Sequence, residues 1–150
     1  MNRRSRKQPT HTLEPSQPAK QPAGGARGDS VMRSTFKWCT SEVDLGGPFS
    51  WGSCEHAQIF SDVIPRLQAL ETMTWSDVHS TGSHPISIEG LCKDARDRLS
   101  AIGKNDEYQE LYSVRLSGRE RIWGMRVGSA LYLLWWDPEH EICPSRLKHT

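Results

Sequence analysis

Alternating apolar and polar positions near the end of the chain predict an antiparallel β-meander over residues 111–143. Residues 112–117 and 122–127 alternate with a period of two, as half-buried strands do. The next segment, residues 131–136, is apolar on both faces and is therefore predicted to be a central strand. Turn-forming pairs, Ser117-Gly118 and Gly128-Ser129, separate the three segments and predict tight antiparallel connections.

The meander is predicted to continue into a short edge strand. Asp137 and Pro138 occupy the first two positions of a sequence typical of a type I turn, which extends to His140. Residues 141–143 are then expected to return beside the sheet.

The preceding part of the chain predicts one strand and then helices. Residues 35–41 alternate weakly and form a candidate first strand. Residues 54–70 carry apolar side chains at three- and four-residue intervals, and Pro65 predicts a bend or break in that helix. Thr74 is the predicted N-cap of a short helix. A further helix is expected to begin near Ser87, after a loop over residues 82–85, and to end at Gly103.

These elements predict an α+β fold with one antiparallel sheet of four to five strands and helices packed on one face. The expected order is strand, helix, helix and then three meander strands. Residues 32–150 are long enough to bury a single core and are predicted to form one domain.

The first 31 residues differ in composition from the rest of the chain. Pro, Gly, Ser and basic residues dominate, and Leu13 is the only large aliphatic residue before Val31, so this segment is predicted to be a disordered basic tail. Residues 1–30 carry a formal charge of +4, whereas residues 31–150 carry −3. The mild acidity of the domain argues against broad coating of nucleic acid, although a local basic site remains compatible with it.

The chain shows none of the usual sequence signs of secretion, membrane insertion or metal binding. The basic start is not followed by an apolar run, and the longest apolar run is far shorter than a membrane helix requires, so a cytoplasmic protein is expected. The four cysteines are scattered, as reduced cytosolic thiols are. Cys54 and His56 lack the spacing of a zinc knuckle, so neither a metal nor a cofactor is expected.

Two stretches of the chain resemble known groups of proteins. Residues 116–128, LSGRERIWGMRVG, together with the predicted element order, resemble the RelE/ParE superfamily of bacterial toxins, in which a leucine and a glycine precede a strand of the form W-x-x-R-x-G. Residues 134–140 and the ending LKHT resemble a group of small bacterial proteins, and this second resemblance implies no activity.

The toxin resemblance implies a RelE-like fold and a metal-independent endoribonuclease that is neutralised by an antitoxin protein and acts on mRNA, free or on the ribosome. RNA cleavage by the 2′-hydroxyl needs a base, an acid and cations for the phosphate. The candidate catalytic residues are Arg126, His140, Arg121 and Arg119. Arg126 is preferred, and Arg121 cannot share its face of a regular strand. Lys148, His149 and Trp136 are candidates for substrate binding.

Each candidate also has a purely structural interpretation. Arg126 can be a solvated strand arginine, His140 a turn residue and Trp136 a core or interface aromatic, although it is the most exposed of the aromatics by expectation. A second function class therefore stays open: a noncatalytic protein-interaction module, or an accessory protein of a mobile element, that binds its partner through the aromatic sheet.

Overall fold

The computed structural model describes residues 30–144. Within them lies a five-stranded mixed sheet with the strand order β1-β5-β4-β3-β2. Its strands are β1 (Lys37–Cys39), β2 (His84–Ser87), β3 (Glu110–Ser117), β4 (Glu120–Val127) and β5 (Ala130–Asp137). The α-helical segments are α1 (His56–Gln58), α2 (Ile64–Glu71), α3 (Trp75–Ser80) and α4 (Lys93–Ala101). The α+β prediction is thus confirmed, whereas residues 1–29 of the predicted tail lie outside the described residues.

The predicted meander is present as β3, β4 and β5, which pair antiparallel with their neighbours. The strand β5 lies between β4 and β1, as its apolar residues on both faces predict. The predicted edge strand over residues 141–143 is wrong, because the chain leaves the sheet after Asp137. Two main-chain amides there, those of Glu141 and Ile142, instead bind the Asp137 carboxylate.

The sheet is mixed because β1 pairs parallel with β5, with Trp38 beside Leu131. The prediction of a wholly antiparallel sheet is therefore wrong at this edge. At the opposite edge lies β2, although residues 82–85 were predicted to form a loop and a helix was predicted to begin near Ser87. Pro85 weakens the strand signal, but an edge strand has one side free of hydrogen bonds and tolerates a residue without an N–H group.

A π-helical segment, Ile59–Val63, joins α1 to α2. Pro65 stands in the first turn of α2, where a missing N–H costs least. The wider π-helical turn just before it confirms the predicted interruption. Local signals also locate α3, since Thr74 and Asp77 form a capping box at its start.

Apolar side chains cover both faces of the sheet. On the first face, Leu67, Leu70 and Trp75 from α2 and α3 pack against strand residues such as Val114 and Ile122. On the second face, Ala95 and Leu99 of α4, with Leu91 just before this helix, belong to a separate cluster. Its strand residues include Leu111, Trp123, Met125 and Trp135.

The prediction that the helices pack on one face is wrong, because the strands are apolar on both faces and the second face also needs cover. The helix α4 begins at Lys93 rather than near Ser87, since residues 84–90 form β2 and a short 3-10 turn, Ile88–Gly90. Its predicted end is confirmed: Gly103 follows with a φ of 73°.

None of the helices within residues 30–144 has the length and apolar character needed to cross a membrane.

Candidate functional site

A pocket of about 500 Å³ lies on the second face, between β2, the start of β4 and the segment after β5. Its lining residues are His84, Ile86, Gly90, Arg121, His140, Cys143 and Pro144. Arg121 and His140, two of the predicted catalytic residues, are therefore brought together. The sequence analysis did not identify His84, which reaches the same pocket from the edge strand β2.

Strand pairing adds a second arginine beside this pocket. Arg115 of β3 stands directly opposite Arg121 of β4, and both belong to the face that carries Ser113 and Trp123. Arg115 also lies over Gly82, next to the start of β2. Its Nη1 is 3.8 Å from the position that a Cβ at Gly82 would take. His84 in turn pairs with Ser113 of β3.

Neither arginine forms an ion pair in the part of the chain that the structure describes, although Asp137 of β5 pairs in register with Arg121. The ion pairs within residues 30–144 include neither Arg115 nor Arg121. The guanidinium of Arg121 donates instead to the carbonyl oxygens of Gly118, at 2.7 Å, and of Glu120, at 3.0 Å. Like charges directly opposite each other on a sheet are unfavourable, so an anion bound between them would be stabilised.

The carboxylate of Asp137, which pairs in register with Arg121, is buried and already holds three hydrogen bonds. It accepts from Trp123 Nε1 at 3.1 Å and from the main-chain amides of Glu141, at 2.8 Å, and Ile142, at 3.2 Å. These bonds fold the chain back after β5. They position the segment that carries His140 beside the start of β4.

The backbone of His140 adopts a left-handed conformation with a φ of 57°. Among the non-glycine residues of the described chain, it is the only one with a positive φ. Such a conformation costs roughly 1 kcal/mol for a residue with a Cβ, and it often occurs where function requires a side chain at that position.

The environment of the pocket shifts two protonation equilibria. Burial lowers the pKa of His140 below its ordinary value of 6.5, and the charge of Arg121 lowers it further, with a smaller contribution from His84. Asp137 acts in the opposite direction. Burial and the charge of Arg115 likewise lower the pKa of Arg121. The imidazole of His140 is therefore neutral at pH 7 and able to accept a proton.

Arg126, the preferred candidate, lies on the other side of the sheet. Its guanidinium carbon is 5.1 Å from the ring centroid of Trp75, and its Nη1 is 3.8 Å from the sulfur of Met32. Arg126 pairs in register with Leu131, whose side chain belongs to the cluster of the first face. The structure therefore does not bring Arg126 together with Arg121 and His140.

The remaining predicted site residues lie outside the pocket lining. Arg119 is exposed at the β3–β4 turn, with its Nη1 3.5 Å from Glu139 Oε2. Trp136 is 2 % exposed and packs on Trp51 with 5.6 Å between ring centroids, so the prediction that it is the exposed aromatic is wrong. Lys148 and His149 fall outside the described residues.

The aromatic residues of the sheet do not form an open binding surface. Trp123 and Trp135 are fully buried beneath the cover of the second face, and Tyr132 is only partly accessible. An interaction module that binds through these aromatic rings would have to uncover a core. The apolar pattern that suggested a partner surface reflects packing on both faces.

Two residues of the site, His84 and Arg115, were missed by the sequence analysis. His84 stands beside Pro85 in a segment with loop-like composition, and Arg115 occupies an ordinary polar position of β3. A hairpin register that pairs residue 115 with residue 121 could have identified Arg115. No local signal identifies His84, because its position depends on the addition of β2 to the sheet.

Within residues 30–144, no three His, Cys, Asp or Glu side chains are grouped so that they could hold a metal ion. The pocket therefore offers imidazoles and guanidiniums as its chemical groups. Two arginines can bind a phosphate or another oxyanion, and two histidines can exchange protons with it.

Comparisons of the chain with protein-family models, with curated proteins and with solved structures found no match.

Proposed function

We propose that this protein is a toxin-like endoribonuclease that cleaves RNA at the pocket of the second face. The observation that carries the proposal is the pair of opposed arginines, Arg115 and Arg121, which form no ion pair within residues 30–144, beside two histidines, His84 and His140. A phosphodiester bound there would bring negative charge to the two guanidiniums. The RelE/ParE resemblance of residues 116–128 supports the same class of reaction, since this segment supplies Arg121.

The proposed reaction is an internal transfer at phosphorus. Neutral His140 takes the proton of a ribose 2′-hydroxyl, and the 2′-oxygen forms a bond to the adjacent phosphorus. The bond from phosphorus to the 5′-oxygen breaks, and His84, as the general acid, gives that oxygen its proton. The products are a 2′,3′-cyclic phosphate and a 5′-hydroxyl end.

The arginines have a separate role in this scheme. Charge accumulates on the nonbridging oxygens as the phosphorus becomes pentacovalent, and Arg115 and Arg121 stand where they can neutralise it. Because Arg121 is already held by two main-chain carbonyls, its guanidinium needs little reorganisation when the substrate binds.

The proposed partner follows from the same resemblance. An antitoxin protein would neutralise the enzyme, and an acidic segment of such a partner could occupy the cationic pocket in place of RNA. The substrate would be mRNA, free or on the ribosome.

A cleavage assay with the purified full chain tests the proposal. We expect a single-stranded RNA to be cut in the presence of EDTA to fragments with 2′,3′-cyclic phosphate ends, whereas a DNA of the same sequence stays intact. His140→Asn and His84→Asn should each lower the rate by roughly 10²–10⁴-fold, as the loss of a general acid or base does. Arg121→Gln should lower it by about 10²-fold or more.

The matched control is Arg126→Gln on the first face, which should leave the cleavage rate unchanged. Induced expression in bacteria, with mapping of RNA ends, also detects cleavage of RNA that is a substrate only on the ribosome. Normal growth and intact transcripts with well-expressed, folded protein would reject the ribonuclease. Loss of cleavage in Arg126→Gln but not in His140→Asn would transfer the active site to the first face.

A further inference from the structure

Two cysteines meet where the segment after β5 packs against the start of α4. The amide nitrogen of Cys92 donates to the carbonyl oxygen of Ile142 at 2.7 Å. Standard peptide dimensions then hold the Cα atoms of Cys92 and Cys143 within about 7 Å of each other. Disulfides usually join Cα atoms that are roughly 4.4–6.8 Å apart. The backbone therefore already brings the two residues to about the separation of a cystine.

The side chains of this pair also share one environment. Both are partly buried and pack against the cluster of the second face. Burial raises the pKa of the Cys143 thiol, and the neighbouring Cys92 raises it further. Cys92 is the N-cap residue of α4.

The other two cysteines of the described chain are placed differently. Cys54 belongs to the cluster of the first face, and its thiol lies near Glu55 and Gln58. Cys39 is in the edge strand β1, beside Tyr132 of β5. All four thiols are free, so these two serve as internal controls for reactivity.

We propose that Cys92 and Cys143 are a reversible redox pair that forms a disulfide when a low-molecular-weight disulfide such as oxidised glutathione is present. The Cys92 thiolate attacks one sulfur of the oxidant, and the bond between its two sulfurs breaks to release one thiol. The Cys143 sulfur then attacks Cys92 in the mixed disulfide and releases the second thiol. The protein loses two protons and two electrons, and the oxidant is reduced to two thiols.

The bond would act on the segment that carries the candidate site. Cys143 and Pro144 line the same pocket as His140, and the Asp137 hydrogen bonds hold the intervening residues. A disulfide would tie this segment covalently to α4 and close a loop from residue 92 to residue 143. The inference does not depend on the proposed ribonuclease, because the bond and its effect on stability are measured without RNA.

The test incubates the folded full chain with oxidised glutathione and maps the thiols by mass spectrometry without reduction. We expect a cross-linked peptide containing Cys92 and Cys143, with the loss of two hydrogens, that disappears on treatment with a reductant. The Tm of the oxidised protein should rise by about 5 °C or more, because closing a long loop destabilises the unfolded chain. In Cys143→Ser, Cys92 should stop at the mixed disulfide with glutathione.

A matched variant, Cys39→Ser, should form the cross-link as fast as the parent. The proposal is wrong if Cys92 and Cys143 of the folded parent protein carry only separate glutathione adducts or stay reduced. It is equally wrong if they pair with Cys39 or Cys54 as often as with each other. Because the decisive measurement uses the unaltered chain, a variant that fails to fold cannot obscure the result.

Discussion

Both faces of the sheet bury aromatic side chains, but the indole groups are hydrogen-bonded by different partners on the two faces. On the first face, Trp75 packs between Phe36 and Tyr112, at centroid distances of 4.9 and 5.0 Å, and its Nε1 donates to a main-chain carbonyl, that of Ser129. On the second face, Trp123 and Trp135 donate to the buried carboxylates of Asp137 and Asp44.

The two buried carboxylates, Asp44 and Asp137, form a polar framework on the second face. The first face has no buried carboxylate within residues 30–144. Asp44 receives two hydrogen bonds from Arg98 of α4, at 2.9 and 2.7 Å, and a third, at 2.9 Å, from Trp135. This carboxylate thereby joins a loop, the helix α4 and the strand β5. Buried charges of this kind contribute little net stability but penalise other arrangements, because each broken contact leaves a charge without a partner. The face with the polar framework is also the face with the candidate site.

A bulge in β5 makes this arrangement possible. The register between β4 and β5 shifts after Trp123, so Leu134 and Trp135 both point to the second face. At the same place Gly124 lies against β5, and a Cβ there would be 2.2 Å from the carbonyl oxygen of Tyr132. The close approach of the two backbones explains why β4 has a glycine at this position.

The largest expected effect concerns the carboxylate of the second face. We expect Asp44→Ala to lower the free energy of unfolding by about 3 kcal/mol, because it leaves Arg98 and the Trp135 indole without their partner. Asp97→Ala, which removes an exposed ion pair with Lys93 on the same helix, should change it by less than about 0.5 kcal/mol. Urea denaturation measures both. Equal losses in the two variants would contradict a special role for Asp44.

The difference in stability between the parent and Asp44→Ala should depend on pH. Burial alone would raise the pKa of Asp44, but the hydrogen bonds from Arg98, Trp135 and the Gly46 amide outweigh it and lower the pKa below 3.8. The stability that Asp44 contributes is therefore complete above the ordinary carboxyl pKa and is lost as the pH falls through the lowered value. The difference between the parent and Asp44→Ala should shrink in strong acid.

A smaller loss is expected where the bulge brings two backbones together. Gly124→Ala should destabilise the protein by roughly 1–3 kcal/mol, because its Cβ can be accommodated only if β4 and β5 separate. Gly90→Ala is the matched control, since its nearest neighbour would be the Ile86 Cγ2 atom at 3.5 Å. Thermal unfolding of both variants checks the prediction, and a Gly124→Ala protein as stable as the control would refute it.

The smallest effect on stability, and one of opposite sign, is expected at His140. His140→Gly should leave stability unchanged or raise it by up to about 1 kcal/mol, since glycine adopts a positive φ without strain. Glu139→Gly, at a residue without this conformation, should show no gain. Denaturant unfolding compares the two, and a large loss in His140→Gly would show that the side chain holds the turn together.

The pH dependence of that variant has a definite sign. Because the folded state lowers the pKa of His140, the parent is most stable above pH 6.5 and loses stability as the pH falls from there toward the lowered value. His140→Gly removes this component, so its stability curve should be flatter between neutral and mildly acidic pH. An unchanged slope would mean that the histidine is not desolvated in the folded protein.

Several elements could be predicted because their signals are local. The period-two pattern predicts β3 and β4, the Thr74 capping box predicts α3, and Pro65 predicts the interrupted helix ahead of α2. The sequence-based prediction missed β2, because Pro85 resembles a loop signal and four residues carry little periodicity. It also assigned all the helices to one face of the sheet, because the apolar stripe of a helix does not indicate which face of a sheet it covers.

The candidate site was predictable only in part for the same reason. Arg121, His140 and Arg126 were all predicted from their chemistry. In the structure Arg121 and His140 line the pocket of the second face, whereas Arg126 lies on the first face. Three contacts between segments that are distant in sequence determine the rest of the site: β1 beside β5, β2 beside β3, and the start of α4 against the segment after β5.

The sequence by itself determined the order of strands in the meander, the turns that join them and the helix boundaries set by Thr74 and Gly103. Those features depend on hydrogen bonds and torsion angles among residues that are close in the chain. Only the tertiary structure decided that His84, Arg115, Arg121 and His140 share one face. That grouping depends on strand register and on a reversal held by Asp137, where the burial of distant side chains outweighs any local preference.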